Sequence, residues 1–171
     1  MTFKELAFMR EDDLERIFLS APAPDAGALA GSEFRGWNVP WFTRLLGIQK
    51  FIKGFFAAAD GGGVEGYNIP VRQDGFADAW TRLPDPDAPK RFGFYRVVRD
   101  ARRPEALLLD YGASARNPWY RPERVLRDYL VQPDPARPDL LIGKAYLALG
   151  VRVPSNFFIL ERLKGTEWKP R

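Results

Sequence analysis

The chain has 171 residues, enough for one domain with a single substantial core, and 46% of them are hydrophobic, as in an ordinary globular protein. It contains neither cysteine nor histidine, which excludes disulfides, thiolate nucleophiles, serine–histidine catalysis and cysteine- or histidine-ligated metal and haem. The net charge of +4 is small and the basic residues are dispersed among acids, so the charge pattern does not favour nucleic-acid binding.

The N-terminal residues predict a short helix rather than a targeting segment. Residues 2–5 and 12–15 both have the spacing of a capping box. After the second, apolar residues recur at helical spacing, which predicts a helix over about 12–20. Charged residues interrupt this region too often for an export signal, and no stretch has the apolar length of a membrane span. We therefore expect a cytoplasmic protein without an integral membrane segment.

Strand-like segments, rich in aromatic and β-branched residues, follow from Leu29 onward. About eight strands in an up-and-down order predict a mainly β protein, an antiparallel barrel whose closure removes unpaired edges. The predicted domain organisation is a helical segment, 1–28, packed on a barrel, 29–171, within a single domain. The strand candidates are 29–39, 50–58, 64–73, 75–83, 91–98, 106–111, 121–131, 140–149 and 157–163, with a turn at 60–63 and a connection at 151–154. The alternative for 50–58 is a continuation of the helix predicted just before it.

Residues 41–48 predict a short helix over one mouth of the barrel. Trp41, Phe42 and Leu45 recur at helix-like spacing. Within a fold, such a stripe forms either a lid that gates a ligand or a plug that extends the core. The plug is favoured, because apolar stripes at helical spacing usually belong to the core. Exposed on the surface, the same residues would instead bind a partner or a membrane surface.

Several stretches of the chain resemble known families. The segment from Phe34 to Val39, followed by 41–56, is similar to the opening of the GXWXG-type domain proteins of bacteria. The segments 107–111, 125–130 and 141–146 resemble the calycin-type barrels, the lipocalins and fatty-acid-binding proteins. The resemblance implies a barrel with an apolar or amphipathic small-molecule cavity, and for the GXWXG-type proteins it implies no defined activity.

This chain departs from the lipocalin pattern at its tryptophan. Lipocalins have a glycine two residues before the tryptophan, whereas here Gly36 directly precedes Trp37. The resemblance implies a packing pair between Trp37 and Arg162. The haem-binding relatives use a histidine ligand, which this chain lacks.

Polar residues among apolar neighbours on the later strands are the candidate ligand anchors. An arginine with a tyrosine binds a carboxylate through charge-assisted hydrogen bonds. Alternation places Arg127 with Tyr129 on one face, and Lys144 with Tyr146 on another. The alternative is that these residues point outward and cover the barrel with their aliphatic stems. The predicted ligand-binding residues are Arg127, Tyr129, Lys144, Tyr146, Tyr111 and Trp41.

The sequence thus favours non-covalent binding of a small hydrophobic or amphipathic molecule, with no cofactor and no metal. The second hypothesis is a cofactor-independent enzyme of isomerase or cyclase type in the same cavity. Its acid or base would come from Asp110, Tyr111 or Asp128, since a carboxylate can serve in this role when burial shifts its pKa towards neutrality. The third hypothesis is an interaction module that uses Trp41, Phe42 and Leu45 to bind a partner or a membrane surface.

Overall fold

The structure is a computed structural model that describes residues 1–59 and 61–170. Within these ranges, eight antiparallel strands in sequence order close into one barrel, the last strand pairing with the first. The predicted fold class, a mainly β up-and-down barrel, is confirmed. Asp60, the first residue of a predicted turn, and Arg171, the last residue of the predicted barrel range, lie outside the described residues.

The strands are β1 Ser32–Asn38, β2 Lys50–Ala57, β3 Val64–Pro70, β4 Phe92–Arg99, β5 Leu107–Asp110, β6 Leu126–Val131, β7 Leu140–Leu149 and β8 Val151–Gly165. The helices are α1 Phe3–Ala7, α2 Glu11–Ser20, α3 Ala26–Leu29 and α4 Phe42–Leu45, with a 3-10 helix at Pro122–Val125. Because the order is up-and-down, the β1–β2, β3–β4, β5–β6 and β7–β8 connections lie at one end of the barrel, the mouth end.

The first predicted capping box is confirmed and the second is wrong. The Thr2 hydroxyl accepts from the Glu5 amide at 3.2 Å, and the Glu5 carboxylate accepts from the Thr2 amide at 2.8 Å. Helix α2 instead begins at Glu11, with Arg10 as an N-cap that makes no side-chain cap bond. Asp12 therefore lies inside the first turn, where its negative charge stabilises the helix N-terminus through the helix dipole.

The N-terminal helices cover an apolar outer surface of the barrel. Leu14 and Phe18 of α2 are fully buried, and they belong to one core with Ile142 of β7 and Ile159 of β8. A second apolar core fills the barrel interior. Its fully buried members include Phe34, Phe55, Tyr95, Leu109, Leu130, Leu141 and Leu160. Both faces of several strands are therefore buried, one inside the barrel and one beneath the helices.

The predicted strand at 75–83 is wrong. This part of the β3–β4 connection pairs with the sheet through an isolated bridge between Val71 and Arg82. Its carbonyl groups serve a different donor, because the buried Lys50 ammonium donates to Gly75 O at 3.0 Å and to Asp78 O at 3.1 Å. Carbonyls turned towards a lysine are not available for a ladder, so the segment folds as a loop over Lys50.

The predicted connection at 151–154 is also wrong, because β8 already begins at Val151. The turn is made at Gly150, whose φ of 81° lies in the left-handed region that glycine adopts without steric cost. Pro154 lies within β8 and pairs with Tyr146 where the β7–β8 register shifts. A proline lacks the amide that a regular ladder needs, so a bulge is where a strand tolerates it.

Candidate functional site

Four polar side chains meet inside the barrel towards the mouth end: Lys53 of β2, Asn68 of β3, Tyr111 directly after β5, and Asp128 of β6. Lys53 Nζ donates to Asn68 Oδ1 and to Asp128 Oδ2, each at 3.0 Å, and to the Tyr111 hydroxyl. Tyr111 in turn donates to Asp128 Oδ2 at 3.0 Å. We call these residues the polar cluster. It is charge-balanced, since the lysine and the aspartate form an ion pair.

Strand alternation explains why this cluster points inward. Phe51, Lys53 and Phe55 share one face of β2, and Phe55 belongs to the interior core. The β2–β3 register places Lys53 directly opposite Asn68. On β6, Asp128 shares the inward face with the buried Leu130. The polar cluster thus interrupts an otherwise apolar barrel interior.

Burial sets the protonation behaviour of the cluster. It lowers the pKa of Lys53, an effect that the negative charge and hydrogen bond of Asp128 oppose. Burial, and next the negative charge of Asp128, raise the pKa of Tyr111 well above its ordinary value. Tyr111 therefore stays protonated at neutral pH and serves as a hydrogen-bond donor to Asp128.

A cavity of about 240 Å³ opens at the mouth end and reaches the polar cluster. Exposed Gly47 and Ile48 lie at the rim, whereas Lys53, Tyr111 and Asp128 are almost completely buried at the inner end. The apolar wall consists of Phe51, Pro70, Phe92, Leu126, Ala145 and Phe158.

Asp128 presents one oxygen to the protein and leaves the other unpaired. Oδ2 accepts from both Lys53 and Tyr111. Oδ1 is buried and has no hydrogen-bond partner among the described residues. Burying a carboxylate oxygen without a partner costs free energy. Since Asp128 lines the cavity, a group in the cavity can supply the missing donor.

Four of the predicted ligand anchors lie on the outer surface of β6 and β7. The Lys144 ammonium forms an ion pair with Glu15 of α2. Arg127 Nε lies 3.2 Å from Asp110 Oδ1, and Arg127 faces Tyr146 across the β6–β7 pair. Tyr129 donates to Asp100 and packs edge-on against Tyr146 at 5.6 Å between ring centroids. Their role as anchors stays a prediction.

The remaining predicted site residues divide between the interior and the surface. Tyr111 and Asp128 meet in the polar cluster. Asp110, one residue before Tyr111, points to the outer surface and pairs with Arg127. Trp41 is 75% exposed, beside the start of α4. Of the three residues considered for acid–base chemistry, the fold thus brings two together at the cavity.

The expectation that residues 41–48 plug the core is wrong. Trp41 and Leu45 are 75% and 76% exposed. Helix α4 has only four residues, about one turn, which is too short to present a buried stripe. The segment is held instead by polar bonds, because the buried Thr43 hydroxyl donates to Pro40 O and the Ile48 amide donates to Thr43 O at 3.0 Å. It forms part of the cavity rim.

The packing pair that the lipocalin resemblance implies does not form. Trp37 packs against Phe76, with ring centroids 5.0 Å apart, on the side of the barrel covered by α1. The Arg162 guanidinium lies 4.8 Å from the centre of the Phe34 ring and also contacts Ser32. Because Gly36 rather than Trp37 occupies the inward position of β1, the tryptophan falls on the other face of the strand.

Sequence reasoning missed Lys53 and Asn68. A signal for Lys53 was present, since it alternates with Phe51 and Phe55 on one face of β2. A lysine between two aromatic residues on one strand face indicates either a paired buried ammonium or a barrel rim. Asn68 carries no comparable signal, because its position opposite Lys53 depends on the β2–β3 register.

No helix within residues 1–59 and 61–170 has the length and apolarity needed to cross a membrane. The same residues contain no group of three or more acidic, cysteine or histidine side chains arranged to hold a metal ion. A scan against models of protein families gives no match, and searches of curated proteins and of solved structures give none either.

Proposed function

We propose that the protein binds a small hydrophobic or amphipathic molecule non-covalently in the barrel cavity. The apolar part of the ligand would contact the aromatic wall, and its polar end would meet the polar cluster. The observation that carries this proposal is the cavity itself, which is apolar along its wall and ends on a buried, charge-balanced group of side chains. A concave, mostly apolar site with a few convergent polar groups is the usual form of a small-molecule site.

The position of the Lys53–Asp128 pair supports a binding role over a purely structural one. A buried ion pair contributes little net stability, and well-packed apolar residues of similar volume often replace it without loss. The far end of the barrel interior is filled in that way, with Phe34, Phe55 and Leu160. The pair lies instead where the interior opens to the cavity. The resemblance to calycin-type barrels, which implies a small-molecule cavity, agrees with this proposal.

Filling the cavity tests the proposal. Ala145 is buried on the cavity wall, so Ala145→Phe should occupy the space and abolish binding. Ala148→Phe makes the same change on the opposite face of the same strand and should leave binding intact. Calorimetric titration with octanol measures both, and native mass spectrometry of freshly purified protein detects a retained ligand. Failure of the wild-type protein to bind octanol, together with the absence of any retained mass, would overturn the proposal.

The unpaired Asp128 oxygen favours a second candidate, a cofactor-independent enzyme that transfers a proton. Lys53 and Tyr111 hold one oxygen of the carboxylate, and Oδ1 of this cavity-lining residue has no partner among the described residues. A carboxylate fixed in this way and surrounded by apolar walls has the geometry of a general base. Tyr111, whose pKa burial raises, would stabilise the charge as a donor rather than act as the base.

A nitrobenzisoxazole is a suitable probe for this second candidate. The base removes the ring C–H proton, the C–H electrons form a nitrile, and the N–O bond breaks to release a phenolate. Asp128→Asn should lower the ring-opening rate at least roughly a hundredfold if Asp128 is the base. Equal rates for Asp128→Asn and the wild-type protein would eliminate Asp128 as a base and leave binding as the function.

A further inference from the structure

The hydrogen-bond donors that line the cavity are already engaged by the protein. The Lys53 ammonium uses its three protons on Asn68, Tyr111 and Asp128. Lys50 Nζ donates to Asp74 and to Gly75 O, Asp78 O and Ala79 O. The amide groups of the lining donate likewise to protein oxygens: Asn68 to Gly93 O, Gln73 to Lys50 O and Val71 O, and Asn156 to Asn38 Oδ1.

The unpaired polar atoms of the cavity lining are acceptors. In the part of the chain that the structure describes, Asp128 Oδ1 and Glu123 Oε2 are buried without a hydrogen-bond partner. Both residues line the cavity. They lie on the same side of it, because a Cβ placed on Gly93 would be 3.6 Å from Glu123 Cγ and 3.4 Å from the Tyr111 ring. Two carboxylate oxygens beside the polar cluster thus await donors.

We infer that the ligand is an uncharged molecule whose buried end is a hydrogen-bond donor, an alcohol rather than a carboxylate. This inference rests on the proposed function and specifies the chemistry of its ligand. A donated proton would satisfy Asp128 Oδ1, and a second hydroxyl would reach Glu123. A carboxylate would bring two further acceptors to this site. The lysine there already donates its three protons to protein groups, and the unpaired atoms are carboxylate oxygens, which repel a second negative charge.

Charge balance distinguishes an alcohol from an ammonium. Asp128 is already paired with Lys53 at 3.0 Å, and Glu123 with Arg121 at 3.2 Å. An ammonium in the cavity would add a net charge to a largely buried site and would lose its hydration, which is costly. A hydroxyl can also donate a hydrogen bond to Asp128 Oδ1, whereas an ether or an alkyl group has no proton to donate.

Four probes of similar length test the inference on the wild-type protein: octanol, its isomer heptyl methyl ether, octanoate and octylammonium. Calorimetric titration at neutral pH measures each dissociation constant. Octanol should bind roughly ten- to a hundredfold more tightly than the ether, the range expected for one hydrogen bond to a charged acceptor. It should also bind more tightly than octanoate and octylammonium.

Asp128→Asn gives a second, independent reading. Its carbonyl oxygen should take the place of Oδ2, between Lys53 and Tyr111, and its NH₂ group should then face the cavity as a donor. The ether becomes able to accept from this group, so the preference for octanol over the ether should fall towards equality. Circular dichroism establishes that the variant is folded. The comparison of the four probes on the wild-type protein does not depend on this variant.

The outcomes separate this inference from the proposed function. Binding of octanol and the ether with equal affinity would overturn the inference and leave small-molecule binding standing. Tighter binding of octanoate or octylammonium would overturn it in the same way. Failure of all the probes to bind the wild-type protein would overturn the inference, and the absence of any retained ligand mass as well would overturn the proposed function.

Discussion

Lys53 of β2 and Asp128 of β6 form an ion pair across the inside of the barrel, with Nζ 3.0 Å from Oδ2. Their side chains are only 3% and 5% exposed. The pair joins strands that are not neighbours in the sheet. It therefore couples opposite walls of the barrel, and it sets the polarity of the cavity's inner end.

Breaking this pair should be costly, whereas replacing it should not. Lys53→Met leaves a buried carboxylate unpaired and should lower the free energy of unfolding by about 3–5 kcal/mol. The double variant Lys53→Met/Asp128→Leu removes both charges and should recover most of that loss. Urea unfolding followed by circular dichroism measures the cycle. As a control, Arg16→Ala breaks the exposed pair with Asp13 and should cost at most about 1 kcal/mol. A Lys53→Met variant no less stable than the control would contradict the prediction.

Stability should fall at high pH because of buried tyrosines. Burial raises the pKa of Tyr67, and raises those of Tyr95 and Tyr111 well above the ordinary 10.0. Above about pH 10 the unfolded chain loses these protons while the native protein keeps them, so each tyrosine lowers stability by about 1.4 kcal/mol per pH unit until its folded pKa is reached. Lys53 has the opposite effect, because its pKa is lowered in the folded protein: its contribution to stability rises with pH, but only up to the ordinary lysine pKa of 10.5. The net fall should therefore be clearest above about pH 10.5.

Urea unfolding at a series of alkaline pH values measures this slope. Tyr95→Phe removes a hydroxyl that donates to Gly54 O at 3.0 Å, and it should make the fall with pH shallower by one tyrosine. Tyr120→Phe changes a tyrosine that is 66% exposed, so its slope should match that of the wild-type protein. Equal slopes for the Tyr95 variant and the wild-type protein would show that Tyr95 ionises as freely when folded as when unfolded.

Strand glycines that lie beneath aromatic rings should not tolerate a methyl group. A Cβ on Gly143 would collide with the Phe158 ring, and one on Gly66 would collide with the Tyr95 ring. Either ring would have to leave its position inside the barrel, so Gly143→Ala and Gly66→Ala should each cost about 1–3 kcal/mol in thermal or urea unfolding. Gly165→Ala is the matched control, because its nearest contact would be a backbone oxygen at 3.7 Å. Equal stability of Gly143→Ala and Gly165→Ala would be inconsistent with the packing described.

The outward residues of β6 and β7 should not affect cavity binding. Lys144→Met removes the ion pair with Glu15 and Tyr146→Phe removes a hydroxyl, both on the outer surface. We expect an unchanged octanol affinity for each variant, and for Lys144→Met a loss of stability of about 1 kcal/mol or less, since the Glu15 side chain is 35% exposed. Calorimetric titration distinguishes the two effects. A tenfold loss of affinity in either variant would instead support the anchor role first expected of these residues.

The local sequence pattern was sufficient to predict the architecture. Aromatic-rich alternating segments separated by glycine and proline turns predicted an up-and-down barrel, because alternation and turn chemistry act within a few residues of the chain. The prediction of a strand at 75–83 was wrong because carbonyls of this segment bind Lys50, a contact between residues about 25 positions apart. The prediction of a connection at 151–154 was wrong because the sheet accepts Pro154 at a bulge.

The sequence by itself determined which residues of each strand share a face, and it excluded histidine and cysteine chemistry. Which face points into the barrel was decided only by the tertiary structure. The helices α1 and α2 bury the outer surface of the strands, so both faces are apolar and hydrophobicity cannot distinguish inside from outside. Lys144 consequently points to Glu15, and the cavity is lined instead by Lys53, Tyr111 and Asp128, which meet because the sheet closes on itself.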